Sequence, residues 1–179
     1  MMELDQIING CLLADRFCQK ALFDRFSGRM MTVCLRYAKN RMEAEDLLQD
    51  GFMKVFLNLE QYKNDGPFEQ WIRKIMINNA IKKFHKKSNQ NEIASSDFLP
   101  EESVEPDVVS SMGEGELLSM INELPDGFRI VFNLYAIEGY SHKEVSEILN
   151  IEESTSRSQL AKARKVLQDK LMKFQKSYL

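Results

Sequence analysis

The chain has 179 residues, 44% of them hydrophobic and 28% charged, with a formal net charge of −3. That balance fits one ordinary globular domain or two small ones and excludes a fibrous or largely disordered chain. No apolar run approaches the roughly 18 residues of a membrane span, and the acidic start Met1-Met2-Glu3-Leu4-Asp5 lacks the basic beginning of a signal peptide, so the expected location is the cytoplasm.

Four prolines and eight glycines leave long stretches free of helix breakers. Three segments before residue 88 show helical periodicity. Leu22, Phe26, Met30, Val33 and Tyr37 form the first apolar stripe; Leu48, Phe52, Val55, Phe56 and Leu59 form the second. Phe68, Trp71, Ile72, Ile75, Met76 and Asn79 form the third. Asn40 and Glu43 predict a capping box opening the second helix, and Asp65-Gly66-Pro67 predicts a turn leading into the third. Cys11, Cys18 and Cys34 lie in helix-like sequence with apolar neighbours and are expected to be reduced, buried thiols. With only His85 and His142 as histidines, no metal site is expected.

The net charge hides an asymmetry. Residues 1–87 carry 15 Lys+Arg against 11 Asp+Glu, whereas 88–114 carry seven acids and no Lys or Arg; 115–179 carry nine of each. Two of the four prolines and many serines also fall in 88–114. Such a segment cannot bury enough apolar surface to offset its ordering entropy, and it reads as a flexible acidic linker.

Four further helices are expected beyond it, over Glu116–Leu124, from Pro125 to about Ile137, from Ser141 to Leu149, and from about Ser154 onward. Ser141 and Glu144 make a capping box, and the last helix places Leu160, Ala163, Leu167, Leu171 and Phe174 on one face. Neither half shows strand alternation. The expected fold is all-α: two small helical domains, 1–87 and 115–179, joined by a flexible acidic linker, the second with a helix-turn-helix.

Three constellations carry potential function. "EAEDLLQDGFMKVF", Glu43–Phe56, sets Glu45, Asp46, Gln49 and Asp50 on one side of a helix and Leu48, Phe52 and Phe56 on another. It suits either a solubility face or docking to a basic protein. "FEQWIRKIMINNAIKKFHKK", Phe68–Lys87, combines aromatics and amides with Arg73, Lys74, Lys82, Lys83, Lys86 and Lys87. That mixture suits single-stranded or distorted nucleic acid, or an ordinary core with a solvated basic face. The closing hairpin offers Thr155, Ser156, Arg157, Ser158 and Gln159 at the start of its second helix, types that reach base edges, with Lys162, Arg164 and Lys165 behind them to neutralise phosphates. Read alone, it is equally a helical hairpin with a polar face. No Gly-rich phosphate loop, Gly-x-Ser-x-Gly or His-x-x-x-His is present, so neither catalysis, a small-molecule substrate nor a cofactor is expected.

In this order, around an acidic linker, these segments resemble bacterial RNA polymerase sigma factors of the extracytoplasmic-function type, over nearly the whole chain. "EAEDLLQDGFMKVF" is similar to the family's Asp-Ala-Glu-Asp-x-x-Gln-Glu/Asp-x-Phe motif, with Glu43 replacing the first Asp. Phe68, Trp71, Ile72, Ile75, Asn78 and Ile81 match the motif that contacts and melts the minus-ten element. Leu124-Pro125, Arg129, Phe132, Glu138-Gly139-Tyr140-Ser141 and Glu144 match region four. Ser154, Ser156 and Gln159 depart from the family's usual Gly-Thr-Val-Lys-Ser-Arg-Leu. The preference at the minus-thirty-five element therefore does not carry over.

The resemblance implies a non-catalytic subunit whose partners are core RNA polymerase, promoter DNA and an anti-sigma factor, with no membrane insertion of its own. Glu45, Asp46, Gln49 and Asp50, backed by Phe52 and Phe56, would hold the polymerase. Asn58, Tyr62, Lys63, Trp71, Lys74, Asn78, Lys82 and Lys83 would capture the melting minus-ten strand, with a base pocket in the Asn58–Gly66 loop beside Asn78. Thr155–Gln159 with Lys162, Arg164 and Lys165 would bind the minus-thirty-five duplex. A relaxed linker of this length spans roughly 30 Å, against about 50 Å between elements one and a half turns apart. It is expected either to be stretched along a basic polymerase channel or to act as a passive tether. A stand-alone helix-turn-helix regulator and a helical interaction module are the rival readings.

Overall fold

The computed structural model describes residues 2–88 and 113–177, and every regular element among them is helical. The expected acidic linker lies outside the described residues except at its two ends. The chain forms two compact units, Met1–Lys83 and Phe84–Leu179.

The first unit is built from α1 (Leu4–Leu12), α2 (Arg16–Tyr37), α3 (Arg41–Leu57), a short 3₁₀ turn (Leu59–Gln61) and the larger part of α4 (Phe68–Ser88). Helix α1 is additional to the three expected. It is only nine residues long and buries Ile7 and Cys11, so its stability comes from packing against α2 rather than from propensity. The stripes on α2 and α3 fall where the periodicity predicts, with Leu22, Phe26, Met30, Val33, Tyr37, Leu48, Phe52 and Val55 buried. The Asn40 carboxamide accepts from Glu43 N at 2.9 Å, but Glu43 returns its bond to Lys39 N at 2.8 Å, one residue earlier than in the predicted box. Pro67 precedes α4, its carbonyl accepting from Gln70 N and Trp71 N. At Gly51 an added Cβ would lie 2.1 Å from Met76 Sδ, so the missing side chain is what lets α3 and α4 close on each other.

Inside this bundle the Asn79 carboxamide is buried and donates to the Leu47 carbonyl at 3.2 Å while accepting from the Lys54 ammonium. Those bonds fix the register of α4 against α3, because leaving a buried amide unbonded costs more than the bonds gain. All three cysteines are buried free thiols. Burial pushes Cys34 up to about 12 and Cys11 up to about 11, the latter helped by Cys18 and Asp15. Both are thus kept as protonated, poorly nucleophilic thiols.

The second unit contains α5 (Glu114–Asn122), α6 (Asp126–Phe132), a π turn over Asn133–Ile137, α7 (His142–Leu149) and α8 (Glu153–Ser177). α5 starts and stops two residues before the expected span, leaving Leu124 in the following turn, where it joins Ile121, Ala163 and Leu167 in the core. The expected unbroken helix to Ile137 widens after Phe132. Glu138 N bonds Asn133 O at 2.9 Å, and Gly139 at φ +79° then turns the chain towards α7. The Ser141–Glu144 box closes as predicted, Ser141 N and Oγ donating to Glu144 Oε2 at 2.8 and 2.7 Å. First the Ser141 N–H and then its hydroxyl hold the Glu144 carboxyl below its usual range, so this contribution to stability is lost on acidification through that depressed range.

Arg129, 3% exposed, clamps the turn between α5 and α6: Nη1 donates to the Asn122 and Leu124 carbonyls at 3.1 and 3.3 Å, and Nη2 to Asp126 Oδ1 at 2.8 Å. Replacing it by Met keeps the bulk but strips donors from the end of α5. A loss of about 3 kcal/mol is expected on urea unfolding. Ala14 ends α1 in the left-handed region at φ 58°, with Asp15 N bonded to Gly10 O and Ala14 N to Cys11 O. A Cβ there costs about 1–2 kcal/mol, partly offset by the freedom glycine adds to the unfolded chain. Ala14→Gly is therefore expected to raise stability by about 0.5–1 kcal/mol in thermal unfolding.

Candidate polymerase and nucleic-acid interfaces

Helix α3 buries Ala44, Leu47, Leu48, Gly51, Phe52 and Val55, which leaves Met42, Asp46, Gln49, Asp50, Met53 and Leu57 exposed along its other side. Three of the expected docking residues, Asp46, Gln49 and Asp50, therefore share one outward row. Glu45 is half-buried and paired with Arg41 at 2.9 Å. Phe52 does not belong to the outward face: it is buried against Phe23, with ring centroids 4.8 Å apart, and the half-buried Phe56 ring lies beside it at 6.2 Å. The exposed apolar groups are Met53 and Leu57, 63% and 79% exposed. Continuing the row Met42, Asp46, Gln49 by four and four residues reaches both, a signal already present in the helical period.

The loop between α3 and α4 is anchored by aromatic rings. Tyr62 packs against Phe68 (4.8 Å) and Trp71 (5.6 Å), and Phe68 and Trp71 stack at 5.6 Å with 22° between planes. The Tyr62 hydroxyl reaches Asn64 Oδ1 at 2.9 Å and the Gly66 carbonyl at 2.6 Å, tying the loop into a ring. Phe68 is core, while Trp71 and Tyr62 are half-buried. Asn58 caps α3, its amide donating to the Lys54 carbonyl at 2.7 Å and its carbonyl oxygen accepting from Gln61 at 3.0 Å. Lys63, Lys74, Asn78 and Lys82 are exposed, and Asn78 lies two turns along α4 from Trp71. Lys83 stands 3.9 Å from the Asp46 carboxylate, where the basic helix meets the acidic one.

In the second unit α7 ends at Asn150, in the left-handed region at φ 52°, and α8 begins three residues later. Helix α8 turns Ser156, Leu160, Ala163 and Leu167 inward. Ser156 is wholly buried with Oγ 2.9 Å from His142 Nδ1, which removes it from the expected base-reading set. The inward stripe read from Leu160, Ala163 and Leu167 reaches position 156 when continued back by four. Gln159 is also redirected: it is half-buried, and a Cβ on Gly127 would lie 3.2 Å from its Oε1, so its carboxamide rests against α6. Thr155 and Ser158 are half-buried, and the Ser158 hydroxyl donates to the Thr155 carbonyl at 3.0 Å.

Of the expected DNA-binding residues on α8, Arg157, Arg164 and Lys165 face outward, as do Glu153 and Ser154 in its first turn, with Lys162 half-buried at the margin. Arg157 is ion-paired with Glu153 one turn earlier, a partner that composition alone does not single out. His142 stacks on Tyr135 with centroids 4.3 Å apart, and the Arg164 guanidinium lies 5.9 Å from the same ring. Tyr135 thus steadies a cation at the rim of the helix-turn-helix. Among the described residues no helix is long and apolar enough to cross a membrane, and no three His, Cys, Asp or Glu side chains gather to hold a metal.

Known proteins match this arrangement in both units. The family model for sigma-70 region 2 matches residues 22–90, and that for sigma-70 region 4 matches residues 114–167. The ECF RNA polymerase sigma factor SigW of Bacillus subtilis is 26% identical over 166 residues, covering 84% of this chain and 87% of that protein. The ECF RNA polymerase sigma factor SigE of Mycolicibacterium smegmatis is 29% identical over 158 residues, covering 85% of this chain and 61% of that protein. The sigma factor RpoE of Bartonella quintana, solved in complex with the anti-sigma factor NepR, shares the fold with a TM-score of 0.52 at 20% identity, over 86% of this chain and 96% of that one. With both regions present in order and together spanning well over half of its length, the chain belongs to the sigma-70 family, as an extracytoplasmic-function sigma factor that directs promoter-specific transcription initiation.

Proposed function

We propose that this sigma factor divides its work among three helix faces. The outward row of α3 holds core RNA polymerase, with Asp46, Gln49 and Asp50 supplying charge and hydrogen bonds and Met53 and Leu57 the apolar contact. The loop after α3 and the exposed side of α4 take the melting minus-ten strand: Tyr62 and Trp71 offer ring edges to an unstacked base, and Lys63, Lys74, Asn78 and Lys82 follow its backbone. Helix α8 enters the major groove of the minus-thirty-five duplex with Arg157 towards the bases and Lys162, Arg164 and Lys165 towards phosphates.

The observation that carries this division is the burial pattern of α3. A helix with one face in a core and an outward row of acids among exposed apolar side chains suits a protein partner with a basic surface, while phosphates would be repelled. The chain then needs no chemistry of its own. Duplex binding by the second unit offsets the few kcal/mol that extruding a base costs the first. The same α3 face is what an anti-sigma factor would cover to silence the protein, and such a cycle takes place in the cytoplasm.

The decisive experiment is transcription from a promoter library by purified core polymerase with and without this chain. Promoter-specific transcripts that appear only with the chain are the expected result. Tight operator binding that polymerase leaves unchanged would instead make it a stand-alone regulator. Within the holoenzyme, Arg157→Ala is expected to weaken the preferred minus-thirty-five sequence by about 1–3 kcal/mol and to relax specificity at one position. An equal loss on every sequence in a competition assay would move Arg157 to the phosphate set.

A further inference from the structure

The outward face of α8 begins with an acid. Glu153 and Arg157, 46% and 57% exposed, are joined through Arg157 Nη2 and Glu153 Oε1 one turn apart, on the face of the helix that offers the cations Arg164 and Lys165. The helix dipole favours a carboxylate in this first turn, yet Glu152, also exposed, already supplies negative charge beside the same terminus. Glu153 is the acid that is tied to the candidate base reader.

An ionised glutamate only accepts hydrogen bonds. Brought against DNA it loses water and meets phosphate repulsion, so it needs a donor there. On the floor of the major groove the donors are the exocyclic amines, cytosine N4 and adenine N6. Adenine places its N7 acceptor beside that amine, where it would oppose the second carboxylate oxygen; cytosine presents the amine without such a neighbour. Arg157 has complementary needs, because its donors fit guanine O6 and N7 while one of its five N–H groups stays on Glu153. Four residues advance a helix by about 6 Å, under two base-pair rises of roughly 3.4 Å. The two side chains can therefore address bases on the same or adjoining pairs.

We propose that Glu153 is a specificity-determining residue of this sigma factor: it accepts a hydrogen bond from cytosine N4 on the pair that Arg157 reads as guanine or on the adjoining one. The ion pair holds both side chains in reading position before DNA arrives, which removes part of the ordering cost from the binding step. This rests on the reading of α8 as the helix that meets the minus-thirty-five duplex.

The test is competitive binding of holoenzyme to promoter duplexes randomised over the minus-thirty-five element, sequenced before and after selection, with wild type, Glu153→Ala, Glu153→Gln and Arg157→Ala. Wild type is expected to enrich a cytosine and a guanine on one or two adjoining pairs. Glu153→Ala should lose the cytosine preference about tenfold while preferences elsewhere persist, and Glu153→Gln should shift that position towards adenine, which a glutamine reads through N6 and N7. If both Glu153 variants bind every duplex more tightly with base preferences unchanged, Glu153 is only a repelling terminal charge and the proposal falls. If wild type shows no preference across this element and Arg157→Ala changes nothing, the reading of α8 falls and takes the proposal with it.

Discussion

A helix that packs one side into a core has only its other side left to show to solvent or a partner, and in this protein that constraint sets the outward faces of α3 and α8. On α3 the inward row Ala44, Leu47, Leu48, Phe52 and Val55 fixes which residues face out, so Asp46, Gln49 and Asp50 share a row with Met53 and Leu57. On α8 the inward row Ser156, Leu160, Ala163 and Leu167 does the same for Arg157, Arg164 and Lys165. The outward residues are thus defined by subtraction from the core. A change in core phase of one residue would rotate each face by about 100° away from its partner.

Polar groups inside each unit hold that phase. Apolar packing rewards burial without strongly preferring one register, whereas a buried donor or acceptor is satisfied only in the right one. Asn79 bonds the Leu47 carbonyl across the α3–α4 contact, Arg129 binds the carbonyl end of α5 while pairing with Asp126, and Ser156 meets His142 between α7 and α8. Each sits at a helix–helix junction. Together with Leu160, Ser156 and His142 set how α8 rolls against α7.

Charge is separated by helix as well as by face. The acids of α3 and the lysines of α4 belong to neighbouring helices in one small bundle, and Lys83 reaches Asp46 where the two meet. An acidic face can then stand close to a basic one without cancelling it, since exposed charges are screened beyond roughly 8–10 Å. The net charge of −3 conceals this arrangement, as the distribution of the same residues along the chain does not.

Sequence alone determined the all-helical class, the inward stripes of α2 and α3, the Ser141–Glu144 box and the order of the three functional segments. These follow from local rules, namely a period of 3.6, capping side chains and composition, and they need no knowledge of neighbours. The tertiary structure decided the short helix α1, which exists by packing on α2, and the fate of residues at the edge of a stripe. Ser156 was drawn inside by His142, and Gln159 was laid against Gly127. The reason is physical. Periodicity locates the centre of a buried face, but a small polar side chain at its margin goes in or out according to whether a neighbouring helix brings it a partner, and that partner is remote in sequence.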